Sequence, residues 1–207
     1  MSELNLKAVT KEEYRKLPLK NRIIRTEIVV IRLFITIFFI MLMIKSAFTT
    51  IKVDGTSMTP TYKNGEYVLA IRSQKFENPY ERGNVISFYC KPVGKRYIKR
   101  VIALPEDHLQ VKGEVVFVNG KRLDEPYTRK LSDLSGDEYE YYKKYFETID
   151  IDIIVPKGQV FVMGDNRCGS KDSRYFGPVE MTKKGTHKVV YKTKKNSLIY
   201  QIIKIFP

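Results

Sequence analysis

One segment narrows the choices for this chain more than any other. Leu33–Ile44, LFITIFFIMLMI, is twelve residues long and Thr36 is its only polar member. Apolar residues extend it upstream through Ile28–Ile31, across Arg32, and downstream through Ala47, Phe48 and Ile51, across Lys45. A bilayer core of roughly 30 Å takes about 20 helical residues, and Ile28–Ile44 rises about 26 Å at roughly 1.5 Å per residue. Arg32 and Lys45 stand near the ends, where long side chains reach the headgroups. The expectation is one membrane-spanning helix over residues 28–48. A cleaved signal peptide also places a basic region before an apolar run. Against it, the preceding region is long for that pattern and no clear A-x-A site follows the run. A buried core helix is the remaining alternative.

Charge then suggests an orientation. Eight basic side chains precede Leu33 (Lys7, Lys11, Arg15, Lys16, Lys20, Arg22, Arg25 and Arg32), against the acids Glu3, Glu12, Glu13 and Glu27. The positive-inside rule keeps such a tail in the cytoplasm. Residues 1–27 are therefore read as a cytoplasmic tail, 28–48 as the anchor and 49–207 as an extracytoplasmic domain. The whole chain carries 37 basic and 23 acidic residues, a net charge of +14. Nucleic acid is the default partner of so basic a soluble protein. A location outside the cytoplasm argues against it, and anionic lipid headgroups are the simpler counterpart. An ordinary solvated basic surface accounts for the charge as well.

Composition excludes several chemistries. With 43% hydrophobic residues the chain is not an acidic disordered one, and its length suffices for a real core. Two cysteines, Cys90 and Cys168, exclude a disulfide-rich scaffold and a four-cysteine zinc site. Two histidines, His108 and His187, leave little room for a histidine metal centre or a Ser-His-Asp triad. Catalysis here has to rest on lysine, carboxylates, hydroxyls or thiols, and neither metal nor organic cofactor is implied.

Beyond the apolar run the pattern is mostly strand. Glu66–Arg72 and Asn84–Cys90 are β-rich and bounded by Gly65 and Gly83; Arg96–Leu104 ends at Pro105. Glu114–Val118, Asn119-Gly120 and Lys121–Leu123 form a hairpin signal, because Asn-Gly suits a type I′ turn. Asp150–Val155 and Gln159–Met163 flank a turn at Pro156-Lys157-Gly158, and Thr186–Thr193 alternates as a last strand. Ser135–Ile149 reads as a helix opened by a capping box of Ser135 and Glu138, with Tyr139, Tyr142 and Phe146 placed to pack on a sheet. The fold class is mainly β: an antiparallel catalytic domain with a small β/α insertion at about 112–157, preceded by one transmembrane helix.

Three segments carry candidate chemistry. In Gly55-Thr56-Ser57-Met58-Thr59-Pro60-Thr61, a serine sits in a loop constrained by glycine and proline. Such a loop suits an exposed nucleophile and equally an ordinary turn. In Tyr97–Ile102, YIKRVI, strand alternation puts Lys99 on one face with Tyr97 and Val101, and Arg100 on the other with Ile98 and Ile102. One face must bring a cation near the core. A lysine starting near pKa 10.4 drops when buried, unless its head reaches solvent. The third segment, Met163–Gly177, MGDNRCGSKDSRYFG, packs short polar side chains, arginines and glycines directly after a strand. That density suits a buried polar network holding a site. A calcium loop through Asp165, Asn166 and Asp172 is the rival, but the spacing is not that of an EF-hand.

Taken together and in this order, the anchor, GTSMTPTY, RYIKRVIALPED and MGDNRCGSKDSRYFG resemble a bacterial type I signal peptidase of the small, single-anchor kind found in Gram-positive bacteria. The resemblance covers the anchor and nearly all of residues 50–180. It implies a membrane-bound serine endopeptidase that removes signal peptides from exported preproteins. On this resemblance Ser57 is the nucleophile and Lys99 the general base, a Ser-Lys dyad. Ser170 orients the lysine amine, Asp172 and Arg174 form a supporting ion pair, and Asp165 is an acidic residue near it. The Ser57 N–H is one oxyanion donor. Gly55 stands where some members carry a serine hydroxyl as the second, so that donor stays open. Val53, Asp54, Met58, Tyr62, Tyr97 and Ile98 match positions lining pockets for small substrate side chains.

The chain departs from the family pattern in places. It reads Pro105-Glu106-Asp107 where Pro-Gly-Asp is usual, Gly83-Asn84 where Gly-Asp is common, and it carries a bulky, acidic insertion, DEYEYYKKYFETIDID, not readily aligned with the family pattern. If the Glu106 turn needs φ > 0, that residue is strained. These features suggest a divergent member with a specialised substrate, such as a pilin-type precursor. Cys90 and Cys168 either pair outside the cell or serve as small buried residues. Two other functions compete: a signal-peptidase-like chaperone for surface or pilus assembly that has lost catalysis, and a self-cleaving repressor sharing the dyad. Intact Ser57, Lys99 and Ser170 count against the first. The anchor and the lack of a DNA-reading domain count against the second.

Overall fold

The computed structural model describes residues 11–16, 18–72, 80–91, 93–180, 186–193, 197 and 201. The chain forms two compact units, Met1–Ile44 and Lys45–Pro207. In the first, a short helix α1 (Lys11–Lys16) precedes the start of α2 (Leu19–Ala47), 29 residues with none buried. At roughly 1.5 Å per residue α2 rises about 44 Å. By length and composition it is able to cross a membrane, and it runs further toward the N-terminus than the apolar stretch itself. Its ring of exposed Leu33, Phe34, Phe39 and Met43 would be costly to hydrate.

The second unit is built on strands β1 (Phe48–Lys52), β2 (Tyr67–Arg72), β3 (Val85–Cys90), β4 (Lys95–Ala103), β5 (His108–Lys112), β6 (Val115–Val118), β7 (Lys121–Arg122), β8 (Asp150–Ile154), β9 (Gln159–Met163), β10 (Val179–Glu180) and β11 (His187–Thr193). Seven of them form one antiparallel sheet in the order β1-β2-β11-β3-β4-β9-β10; the other four form a smaller sheet, β7-β6-β5-β8. The mainly β, antiparallel class read from the sequence is the observed one. Helix α3 (Gly136–Glu147) belongs to the excursion between β7 and β8, and α4 (Ser173–Phe176) follows β9.

Several local expectations change. Asn119 and Gly120 both take positive φ, 53° and 74°, as an Asn-Gly hairpin turn requires. Glu106 does adopt φ 69°, the strained value its turn implied. The capping box does not form. Ser135 occupies the N-cap of α3 but its side chain makes no capping bond, and Glu138 instead lies 3.8 Å from Arg129. The turn expected at Pro156 is present, and the strands that flank it, β8 and β9, belong to different sheets, so it carries the chain from one sheet to the other. Cys90 and Cys168 are free and buried, each in a different hydrophobic cluster, so they do not pair.

Three apolar clusters stabilise this unit. Leu109, Val111, Phe146 and Phe161 lie in the cluster that joins the small sheet, α3 and the end of β9. Ile86, Phe88, Val101 and Val162 fill the middle of the large sheet. Val53, Met58, Val68 and Val189 pack beneath the loop between β1 and β2. That third cluster anchors the loop bearing Ser57. Met58 is 1% exposed and Val53 2%, so Ser57 is bracketed by two residues held in the core.

Candidate active site

The loop carrying Ser57 closes on itself. The Val53 N–H donates to Glu66 O at 2.7 Å, the Gly65 N–H to Val53 O at 2.9 Å, and the Tyr62 N–H to Met58 O at 2.8 Å. Gly55 takes φ 91°, and its N–H donates to Asn64 Oδ1 at 2.9 Å. A second set of bonds ties the loop to the segment after β9. The Asn166 N–H donates to Ser57 O at 3.0 Å, Asn166 Nδ2 to Thr56 O at 3.3 Å, and Thr61 Oγ1 to Asp165 Oδ2 at 2.5 Å. Gly164 makes this approach possible. A Cβ there would stand 2.4 Å from Ser57 O and 2.2 Å from Ser170 Oγ, inside any tolerable contact.

Strand β4 delivers the lysine. It is paired along both edges, by β3 and β9, so its backbone is fixed and its side chains alternate between the two faces of the sheet. Lys99 is 1% exposed. Its Nζ donates to Ser57 Oγ at 2.7 Å and to Ile98 O at 3.2 Å, and lies 4.9 Å from the centre of the Tyr97 ring. Burial pushes the amine down to about 8, against the opposing pull of Asp172, with Arg174 lowering it further. Lys99 makes no ion pair among the described residues, so its charge is left poorly compensated.

Both faces of β4 carry a cation, Lys99 buried and Arg100 half-buried, and only Arg100 is ion-paired. Arg100 forms a fork with Asp165, Nε to Oδ1 at 2.8 Å and Nη2 to Oδ2 at 2.6 Å. It also donates to Gly83 O at 2.7 Å and lies 3.9 Å from the Tyr127 ring centre. A further fork joins Arg174 and Asp172, with two bonds of 2.9 Å. Burial pushes the Asp172 carboxyl up, but Arg174 and the Gly164 N–H outweigh it and hold it below the usual carboxylate range. A third buried fork joins Arg167 to Glu125, at 2.7 and 2.5 Å.

The residues singled out from sequence fall into place unevenly. Ser57 and Lys99 meet, and Asp172 and Arg174 pair with each other. Asp165 joins a separate network, with Arg100 and Thr61, rather than that pair. Ser170 Oγ is buried without a hydrogen-bond partner, so the bond to the lysine amine is not formed. The hydroxyl lies near enough to Asp172 to help hold that carboxyl down. Val53, Asp54, Gly55, Met58, Tyr97 and Ile98 line a cleft of about 450 Å³ together with Ser57 and Lys99. Tyr62 does not line it; it packs with Ile51 and Ile98 against the third cluster. Gly55 has no hydroxyl and its N–H is engaged by Asn64. No described hydrogen bond engages the Ser57 N–H.

Other residues carry the site without having been singled out. Arg100 was accessible by strand parity, since a second half-buried cation on β4 demands a carboxylate. Thr61, Gly164 and Asn166 lie inside the quoted motifs, but their roles depend on a contact between segments over a hundred residues apart. Glu125 stands outside all three segments, and nothing local marks it. Among the described residues no group of histidine, cysteine and carboxylate side chains is placed to hold a metal.

Comparison with known proteins places this arrangement. A family model, "Signal peptidase, peptidase S26", matches residues 25–191. Signal peptidase I U of Bacillus subtilis (strain 168) is 31% identical over 176 residues, 83% of this chain and 84% of that one. Signal peptidase IB of Staphylococcus aureus is 36% identical over 154 residues, 70% of this chain and 79% of that one. The crystal structure of a signal peptidase I from Enterococcus faecalis V583 is 30% identical, covering 54% of this chain and 97% of that chain with a TM-score of 0.43.

Proposed function

The chain belongs to the signal peptidase family, peptidase S26, and from that premise we propose that Ser57 and Lys99 are its catalytic dyad and α2 its membrane anchor. The activity is that of the family, hydrolytic removal of signal peptides from exported preproteins. The observation that carries the dyad is the 2.7 Å contact between Lys99 Nζ and Ser57 Oγ, made by a buried amine pushed down to about 8. When the amine is neutral the bond reverses, and the Ser57 O–H donates to Nζ.

The reaction then follows from the geometry. Ser57 Oγ attacks the scissile carbonyl as Lys99 takes its proton, and the Ser57 N–H donates to the developing oxyanion. Lys99 H⁺ gives the proton to the departing amine and releases the mature chain. The neutral amine next draws a proton from water, which attacks the acyl-enzyme ester; the bond from the acyl carbon to Ser57 Oγ breaks, Lys99 returns the proton to Ser57 Oγ, and the signal peptide is freed. The cleft walls made by Val53, Met58, Tyr97 and Ile98 hold the small side chains before the cut bond. Asp172–Arg174 and Arg100–Asp165 hold the strands around the dyad. Each carboxylate is engaged by an arginine, which limits how far it restores the lysine's charge.

Helix α2 keeps the enzyme beside substrates whose own apolar segment occupies the same bilayer. Its basic N-terminal flank stays cytoplasmic by the positive-inside rule, which puts residues 49–207 outside. That location, rather than the charge itself, favours anionic headgroups over nucleic acid as the counterpart of the domain's excess positive charge.

The test is cleavage of a preprotein with a small-x-small site by detergent-solubilised protein, with product mass as the readout. Wild type cuts after the second small residue, and Ser57→Ala and Lys99→Ala do not. Cleavage that persists in either variant overturns the dyad. A folded wild type that cuts no preprotein points to the binding-protein alternative.

A further inference from the structure

A second depression opens on the far side of the loop that bounds the cleft. It has a volume of about 400 Å³ and is lined by Tyr141, Tyr142 and Tyr145 of α3, by Tyr175 of α4, and by the loop Cys168–Lys171. Gly169 and Lys171 line both this groove and the catalytic cleft, so the two adjoin across one loop. The tyrosines of α3 come from the acidic, aromatic insertion DEYEYYKKYFETIDID. The rings are arranged rather than scattered. Tyr141 and Tyr142 meet edge to face at 5.0 Å, Tyr142 and Tyr145 at 6.5 Å, and Lys171 Nζ covers the Tyr175 ring at 4.1 Å. Tyr142 and Tyr145 are fixed from below by the core cluster that holds Phe146. Tyr141 and Tyr175 are left 69% and 70% exposed, so the groove presents accessible aromatic faces beside two rings already fixed in the core.

We infer that this tyrosine groove binds the mature-side segment of the preprotein, the residues beyond the cut bond. The inference rests on the reading of Ser57 and Lys99 as the dyad. The cleft on the Val53 and Ile98 side takes the residues before the bond, so a chain threaded past Ser57 has to leave in another direction. The groove that adjoins that cleft across Gly169 and Lys171 lies next along the path. The three loop residues Gly169–Lys171 span at most about 10 Å when extended. A substrate strand therefore reaches the tyrosines from about its third residue after the bond. Rigid, amphipathic rings with few rotatable bonds suit an extended peptide bearing an aliphatic or aromatic side chain there. This gives the insertion a function: selecting among preproteins by the first residues of the mature chain.

The test compares two peptides with the same signal-side residues, one ending two residues after the cut bond and one continuing for eight with a leucine and a phenylalanine among them. The readout is the ratio of kcat/KM, long over short, for wild type, Tyr141→Ala, Tyr175→Ala and the control Tyr191→Ala on β11. Wild type is expected to favour the long peptide about tenfold, the size of loss usual for truncating an aromatic anchor. The ratio is expected to fall toward one in Tyr141→Ala and Tyr175→Ala and to hold in Tyr191→Ala. An unchanged ratio in the two groove variants overturns the inference, including where both peptides slow equally. A second arm separates this from the dyad reading. A full preprotein carrying a photoreactive phenylalanine at the fifth residue after the bond is irradiated with the Ser57→Ala protein. Crosslinks at Tyr141–Tyr145 or Tyr175 support the groove even if no peptide is cleaved, and crosslinks only elsewhere overturn it.

Discussion

Replacing Lys99 by methionine tests the central electrostatic claim through stability. A drop of the amine from 10.5 to about 8 corresponds to about 3 kcal/mol, at roughly 1.4 kcal/mol per pH unit. The sign is set by proton binding. Between pH 8 and 10.5 the unfolded chain holds the proton and the folded one has released it, so stability rises with pH across that window. Below pH 8 both states are protonated and the folded state carries the full penalty. Methionine fills a similar volume without the charge, and forfeits hydrogen bonds to Ser57 and Ile98 at about 1 kcal/mol each. Lys99→Met is therefore expected to be about 1 kcal/mol more stable than wild type at pH 7. That advantage shrinks by about 1.4 kcal/mol between pH 7 and 9 and about 2.5 kcal/mol by pH 10, so it reverses. For a domain of this size the closing from pH 7 to 9 is about 3–6 °C in Tm. The chain has 14 tyrosines and no tryptophan, so near-ultraviolet circular dichroism of the tyrosines follows the melt in detergent. Wild-type kcat/KM is expected to rise about tenfold from pH 7 to above 9 as the amine becomes neutral. A Tm gap that stays constant from pH 7 to 9 would refute a buried, charge-penalised lysine.

Asp172→Ala leaves the Arg174 guanidinium, 1% exposed in its side chain, without its partner and the Gly164 N–H without its acceptor. The expected loss is about 3–5 kcal/mol in urea denaturation, and a wild-type midpoint with lost activity alone would sink the structural role. Gly164→Ala forces a methyl against Ser57 O and Ser170 Oγ. It is expected to lower kcat by about a hundredfold with a stability loss of about 1–3 kcal/mol, and a kcat within threefold of wild type contradicts the close packing. Glu106→Gly relieves a left-handed residue worth about 1–2 kcal/mol while adding about 0.5–1 kcal/mol of unfolded-chain entropy. A net gain of about 0.5 kcal/mol is expected from urea midpoints, and any net destabilisation argues against strain at that turn.

The strands with clear alternation or turn punctuation were legible in the sequence: β2, β3, β4, β6, β9 and β11 lie within two residues of their expected positions. β1 was hidden because Phe48 and Ile51 read as the tail of the apolar run, although FTTIK pairs along its whole length with β2. β5 has only Leu109 and Val111 buried, too short an alternation between Pro105 and Gly113 to stand out. The cap of α3 failed because Ser135 has the right backbone conformation but no bond from its hydroxyl. Ser57 and Lys99 were legible as a resemblance and as chemistry. The pairing of Asp165 with Arg100, the empty hydroxyl of Ser170 and the displacement of Tyr62 from the cleft were not. Each depends on which of several nearby polar groups wins a partner, and that is decided by three-dimensional packing.

That competition for partners explains why one cation on β4 is poised to lose its charge while its neighbour is not. Adjacent residues on a strand face opposite ways, so Lys99 and Arg100 sample different surroundings though they differ by one position. Arg100 meets a carboxylate that is 0% exposed in its side chain, and an arginine stays charged in any case. Lys99 meets hydroxyl and carbonyl oxygens and an aromatic ring, and the nearest carboxylates are already held by Arg100 and Arg174. Exchanging the two side chains would leave an arginine that cannot release a proton beside Ser57. It would also leave a lysine ion-paired to Asp165, with its charge stabilised. The proposed base therefore depends on a lysine at position 99, and equally on arginines at 100 and 174 that engage the carboxylates.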